Sequence, residues 1–167
     1  MFKYIILLLL PISLFAQKKY KVSIEMDASS EYVFNYLGNS NNANKWSVFV
    51  DSIAVLNPFE FNDGDIGSIR RCYVRNSNKK WDEEIVEITS NKYRLLRCFN
   101  YQNFKATTPY LFTEQIYEDT GINKCLVTFT IIMNEKPTII QRLGVIKTQS
   151  IFRKNLKNIK LLTSNPT

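Results

Sequence analysis

WDEEIVEI, Trp81 to Ile88, sets four carboxylates and three aliphatic residues behind one tryptophan. It could hold an acid/base pair, a metal site, or one buried charge on a strand. Adjacent strand residues point to opposite faces, so Glu83 and Glu84 cannot act together. The neighbouring turns set the pairing. If Asn76 to Lys79 is the loop, Arg75 opposes Lys80, Glu84 opposes Arg71 and Val86 opposes Ile69. If Ser90-Asn91 is a two-residue turn, Glu84 lies beside Arg97 and Val86 beside Leu95. One face then carries Ile69, Arg71, Tyr73, Glu84, Val86, Ile88, Leu95, Arg97 and Phe99. It is apolar and aromatic, with a carboxylate between two guanidiniums. The other face, with Arg70, Cys72, Glu83, Glu87, Arg94 and Asn100, reads as solvent. A lone charge on a covered face is costly, whereas Arg71, Glu84 and Arg97 can satisfy one another. A slip of one residue would reverse every such assignment.

Outward from this stretch the chain reads as α+β. Tyr20 to Met26 alternates, with Val22, Ile24 and Met26 on one side, the period of a half-buried strand. Asp27 to Ser30 supplies capping side chains, Glu31 suits the first turn of a helix, and Val33, Phe34 and Leu37 form its apolar stripe. GNSNNAN (38–44) is a polar loop. Lys45 to Val50 gives a helical turn or two, leading to a strand through Ile53 and Val55. Further strands are expected at about 66–75, 80–89, 92–101, 109–118 and 124–134, joined by turns short enough for an antiparallel meander. Pro137 suits a helix start, and the chain to Leu162 reads as one long helix with a break near Gly144. Its apolar face moves from Ile139, Ile140, Leu143 and Ile146 to Phe152, Leu156 and Ile159, which implies a bend or two covered surfaces.

The 167 residues suit one domain with a substantial core. Met-Phe-Lys followed by YIILLLLPISLF (4–15) and Ala16 has the basic start, short apolar centre and small residue of a secretory signal. The run falls short of the ~20 apolar residues of a membrane span. Residues 1–16 are therefore expected to be a signal peptide, with the domain at 20–163 and export to the periplasm or beyond. Cleavage there removes Lys3, taking 22 basic residues to 21 against 15 acidic, a net charge of +6. The basic residues are scattered, which suits a soluble basic surface and gives no nucleic-acid footprint.

No histidine occurs anywhere. Histidine triads, His-ligated zinc or copper and the commonest general base are thereby excluded. No metal and no cofactor is expected. In the register above, Cys72 and Cys98 flank Glu83 on strands ~9.6 Å apart, beyond the ~7 Å that a disulfide spans. Free thiols are expected.

The order of elements resembles the START-like superfamily, also called SRPBCC, which includes polyketide cyclases and lipid-transfer domains. VSIEMDASSEYVFNYL is similar to its first strand and Val-Phe helix, and Trp46 to the tryptophan after its second helix. DGDIG (63–67) is similar to its glycine approach to the next strand, EEIVEI to its Glu-containing strand, and FRKNLKNIKLL (152–162) to its C-terminal end. Ser29-Ser30 departs from a proline common there. The resemblance implies a helix-grip fold: a curved antiparallel sheet of about seven strands wrapped around a long C-terminal helix, with an apolar cavity between. Trp46, Ile69, Arg71, Tyr73, Glu84, Val86, Leu95, Arg97, Phe99 and Leu143 are the ligand-lining candidates. Trp46 and Phe99 could equally be plain core, and the ionic cluster a clamp.

Three functions compete. The first is non-enzymatic binding of a hydrophobic or amphipathic small molecule or lipid by an exported monomer. The second is a cyclase or hydrolase using Glu84 as base, with Asp82 on the same face. The third is weak contact with an anionic membrane through the basic exterior.

Overall fold

The computed structural model describes residues 17–105, 110–133 and 137–164. The expected signal segment, residues 1–16, lies outside the described residues. One seven-stranded antiparallel sheet carries the fold. Its strands are β1 (Lys18–Met26), β2 (Val50–Val55), β3 (Ile69–Val74), β4 (Lys80–Thr89), β5 (Tyr93–Gln102), β6 (Tyr110–Gly121) and β7 (Lys124–Met133). The spatial order is β1-β7-β6-β5-β4-β3-β2, so the first strand closes the meander against the last. Helices α1 (Ser30–Gly38) and α2 (Ala43–Trp46) follow β1, and α3 (Ile139–Thr163) ends the described chain. This is the helix-grip arrangement that the element order implied.

Side-chain caps start α1 and α3. Ser29 caps α1, its Oγ accepting from Tyr32 N at 3.2 Å. Thr138 caps α3 in a reciprocal box with Gln141, whose side chain accepts from Thr138 N at 2.9 Å. α3 runs unbroken through Gly144, so the break expected there does not occur. Val33, Phe34 and Leu37 of α1 pack with Val22 and Met26 of β1, Tyr117, Val127 and Phe129 of the sheet, and Leu156 and Ile159 of α3. The second half of α3 is therefore seated in the core. In the first half only Val145 is buried, while Ile139, Ile140, Leu143 and Ile146 are 62–77% exposed. Asn155 ties α3 to the segment before β2, its Oδ1 accepting from Val48 N at 2.9 Å.

Register decides which side chains face α3. In β4–β5, Asp82 opposes Phe99, Glu84 opposes Arg97 and Ile85 opposes Leu96, the pairing expected from the Ser90-Asn91 turn. A bulge at Val86 then adds one residue to β4, so Ile88 falls on the opposite face from Glu84 and joins the core. In β3–β4 the four-residue turn sits one position earlier than expected. Tyr73 opposes Lys80, Arg71 opposes Asp82 and Ile69 opposes Glu84. Val74 N bonds Lys79 O at 3.0 Å and Asn76 takes φ 52°, a left-handed conformation that Asn tolerates. This slip moves each partner by two and leaves every side chain on its face.

The face itself is the correction. The side of the sheet toward α3 carries Arg70, Cys72, Trp81, Glu83, Leu96, Cys98, Thr113 and Gln115. The side with Ile69, Arg71, Tyr73, Glu84, Val86, Leu95, Arg97 and Phe99 is the convex exterior. Tyr73 and Val86 are exposed there. Alternation gave the two sets; apolar content chose the wrong one as inner. The convex side carries the ion pairs Arg71–Asp82 and Arg97–Glu84, and the concave side buries charges that other groups satisfy.

Candidate functional site

A cavity of about 360 Å³ lies between the concave sheet and α3, within the ~300–1,000 Å³ typical of small-molecule sites. Antiparallel order fixes its two ends. One holds the start of β2, the β3–β4 turn, the end of β5 and the start of α3; the other holds α1 and the β4–β5 turn.

The first end is aromatic. Phe49 stacks near Trp81 (centroids 6.0 Å), Trp81 meets Phe104 edge-on at 6.4 Å, and Tyr101 meets Phe104 at 5.8 Å. Trp46 also lines the cavity. Between the ends the wall is Leu96, Leu111, Phe129 and Ile131, with Thr113 and two thiols.

The second end buries two arginines. Arg70 Nη2 donates to Glu83 Oε1 at 2.6 Å, and Asp63 Oδ1 lies 3.8 Å from Nη1. Arg94 is 2% exposed, and no carboxylate among the described residues lies in salt-bridge range of it. Its Nη1 donates to Gln115 Oε1 at 3.1 Å and reaches Tyr117 Oη at 3.4 Å, and its plane lies 4.3 Å over the Phe34 ring. Both guanidiniums also reach the last turn of α1: Arg94 Nη2 to Phe34 O and Arg70 Nη1 to Gly38 O, each 3.4 Å. α1 carries no basic residue in its last turn, so the sheet supplies the cations that its negative end favours.

Burial shapes the titration here. It pulls the Arg94 guanidinium below its ordinary value, with Arg70 adding to that, while Tyr117, Glu83 and Asp63 oppose it. Burial pushes the Tyr117 phenol up to about 12, with Arg94 opposing. Burial, and then Tyr101's neighbours Cys98 and Glu83, push the Tyr101 phenol far up. Cys72 and Cys98 are also raised, by burial first and Glu83 second. Phenols and thiols here stay protonated near neutrality, as hydrogen-bond donors and apolar wall. All three cysteines are buried and free. Cys72 lies on β3 and Cys98 on β5, with β4 between.

Of the ten sequence candidates, Trp46 lines the cavity and the other nine do not. The Arg71–Glu84–Arg97 cluster divides on the exterior into two pairs. Arg71 grips Asp82 through Nε at 2.7 Å and Nη2 at 2.9 Å, and Asn100 adds a bond at 2.6 Å. Burial opposes ionisation of Asp82, yet these bonds hold its carboxyl below the usual range. Arg97 bonds Glu84 at 2.5 Å beside Phe99. Both carboxylates of the supposed acid/base couple thus point away from the cavity. Leu143 is exposed because it falls on the outward side of α3.

The residues missed include Arg70, Glu83, Trp81, Leu96, Lys79 and Gln115. A signal existed. Cys72, Trp81, Ile85, Leu96 and Cys98 share the parity of Glu83, and cysteine is among the residue types most often buried. Counting them would have reversed the assignment.

No protein-family model and no curated protein matches the sequence. Solved structures do match the fold. A START superfamily protein from Mycobacterium smegmatis superposes with TM-score 0.67 at 13% identity, over 86% of this chain and 97% of that one. The protein has the START-like fold. Norcoclaurine synthase from Thalictrum flavum, solved with dopamine and hydroxybenzaldehyde, gives TM-score 0.66 at 12% identity over 87% and 86% of the two chains. The Aha1 dimer from Colwellia psychrerythraea gives 0.63 at 18% identity over 88% and 96%. An enzyme with bound ligands and a dimeric protein share this START-like scaffold, so activity must be argued from the cavity.

Proposed function

We propose that this protein binds a small hydrophobic or amphipathic molecule between sheet and helix and does not transform it. The observation that carries this is the largely apolar cavity of about 360 Å³, lined by Trp46, Trp81, Phe104, Leu96, Phe129 and Ile131. Glu83, a carboxylate of its wall, is already held by Arg70 at 2.6 Å, which ties up the group that would serve as a base. Export is part of the proposal and rests on the character of residues 1–16.

Both tryptophans of the chain, Trp46 and Trp81, line the cavity, so intrinsic fluorescence reports its occupant. Titration of the mature protein with dodecanol, a neutral probe, should give a saturable change at one equivalent. Native mass spectrometry of protein from its source should show a co-purifying mass. No saturable change together with no bound mass would remove the proposal.

A second reading is favoured by the exposed stripe Ile139, Ile140, Leu143 and Ile146 beside Arg142 and Lys147. We propose that this half of α3 touches anionic lipid, its side chains entering the headgroup boundary. Among the described residues no helix is long and apolar enough to cross a membrane. Vesicles containing phosphatidylserine should sediment the protein at low salt and release it at about 0.5 M, where the Debye length falls toward ~3–5 Å. Replacing Leu143 and Ile146 with Ser should abolish sedimentation. Binding unchanged by salt and by these substitutions would refute the contact.

A further inference from the structure

The cavity's charged groups are divided unequally between its two ends, and that division selects a ligand. Arg70 lies at the deep end; it is 4% exposed and occupied by Glu83 and by Gly38 O. Arg94, next to it, is occupied by Gln115, Tyr117 and Phe34. A ligand head that reached this depth would meet the Glu83 carboxylate and the Arg70 guanidinium, already engaged with each other at 2.6 Å. The stretch between is Leu96, Leu111, Phe129 and Ile131, which suits a tail.

The other end is open. Ile140, Gly144 and Lys147 line the cavity from α3 and are all exposed, whereas the deep lining residues Leu37, Leu96 and Asn155 are buried. Two cations stand at this mouth, Lys79 beside the β3–β4 turn and Lys147 on α3. Lys79 Nζ lies 5.6 Å over the Phe104 ring. Neither lysine forms a salt bridge among the described residues, although eight other ion pairs do form there. No carboxylate of the described lining stands at the mouth: Glu83 is deep, and Glu114 pairs outward with Lys19 at 3.3 Å.

We infer that the occupant is an anionic amphiphile, an apolar body capped by a carboxylate, sulfate or phosphate, seated tail-inward with its head between Lys79 and Lys147. This rests on the cavity-binding reading above and narrows it. A cationic head is repelled at the mouth, and a neutral one gains nothing from it. The gain is that of solvent-exposed charges, so it sets preference more than total affinity and weakens with salt.

The test compares three probes of equal chain length by tryptophan fluorescence at pH 8, below their micelle thresholds: dodecanoate, dodecanol and dodecyltrimethylammonium. Dodecanoate should bind about tenfold more tightly than dodecanol, a difference of ~1.4 kcal/mol, and the ammonium probe more weakly than either. The advantage should fall to under about twofold in 1 M salt. In the double variant Lys79→Gln, Lys147→Gln the ratio of dodecanoate to dodecanol affinity, the quantity that reads the head site apart from the apolar wall, should fall to about one. Equal binding of dodecanoate and dodecanol, or an advantage that survives the double variant, overturns this inference and leaves the cavity reading standing. Failure of all three probes to bind overturns both.

Discussion

Glu83→Gln will lower stability by about 3 kcal/mol, and Glu84→Gln by less than about 1 kcal/mol. These neighbours in one strand face opposite ways. Glu83 lies in the concave wall, 13% exposed at its side chain, and compensates Arg70, which is 5% exposed at its own. Removing the carboxylate leaves a buried guanidinium with Asp63 at 3.8 Å and one backbone carbonyl. Breaking a buried pair from one side is costly because the orphaned charge stays desolvated. Asp63 softens the loss, which places the figure at the lower end of the usual range of ~3–5 kcal/mol. Glu84 pairs with Arg97 where both are in reach of water, at 23% and 46% exposure, so solvent replaces most of what is lost. Urea unfolding of the two variants decides between the faces. Equal small losses would mean that Arg70 does not depend on Glu83; a larger loss at Glu84 would reverse the faces.

That comparison also marks how far the sequence alone can be read. Element type and order were legible because each rests on a local rule: alternation in β1, the Ser29 cap, the left-handed Asn turns and the period of α3. The β4–β5 register followed from a two-residue turn. Parity was legible too, since alternation is a covalent consequence of strand geometry. The choice of inner face was not, because it was made by weighing apolar content against charge. Here the concave side includes Glu83, held by Arg70 across the β3–β4 pair, and Arg70 and Arg94, which also reach groups distant in sequence: Gly38, Phe34, Gln115 and Tyr117. No local pattern announces that a charge will find such partners. The bulge at Val86 was equally hidden, and it alone returns Ile88 to the core. Trp46, a candidate through the family resemblance, ends α2 and lines the cavity.

Gly144→Leu will strengthen the fold and weaken ligand binding at least about tenfold, two effects of opposite sign from one position. The sequence suggested a helix break at this glycine, yet α3 runs straight through it. Glycine inside a helix costs ~1 kcal/mol relative to Ala, because its backbone loses more freedom on folding. A Cβ placed at Gly144 would meet nothing within 4 Å, and the residue lines the cavity mouth. No packing constraint therefore demands glycine, and its open space is the opening itself. Gly144→Ala should raise stability by about 1 kcal/mol, or about 2–4 °C in Tm for a protein of this size, and leave dodecanol binding within about twofold. Gly144→Leu should gain a similar amount from helix propensity, with its branched side chain filling the space between Ile140 and Lys147. Dodecanol affinity should then drop at least tenfold, about 1.4 kcal/mol or more. Because the Ala variant carries the same change in backbone freedom, it separates propensity from obstruction. Undiminished binding in the Leu variant would place the mouth elsewhere, and a fall in stability for both would mean that the helix needs glycine at this turn.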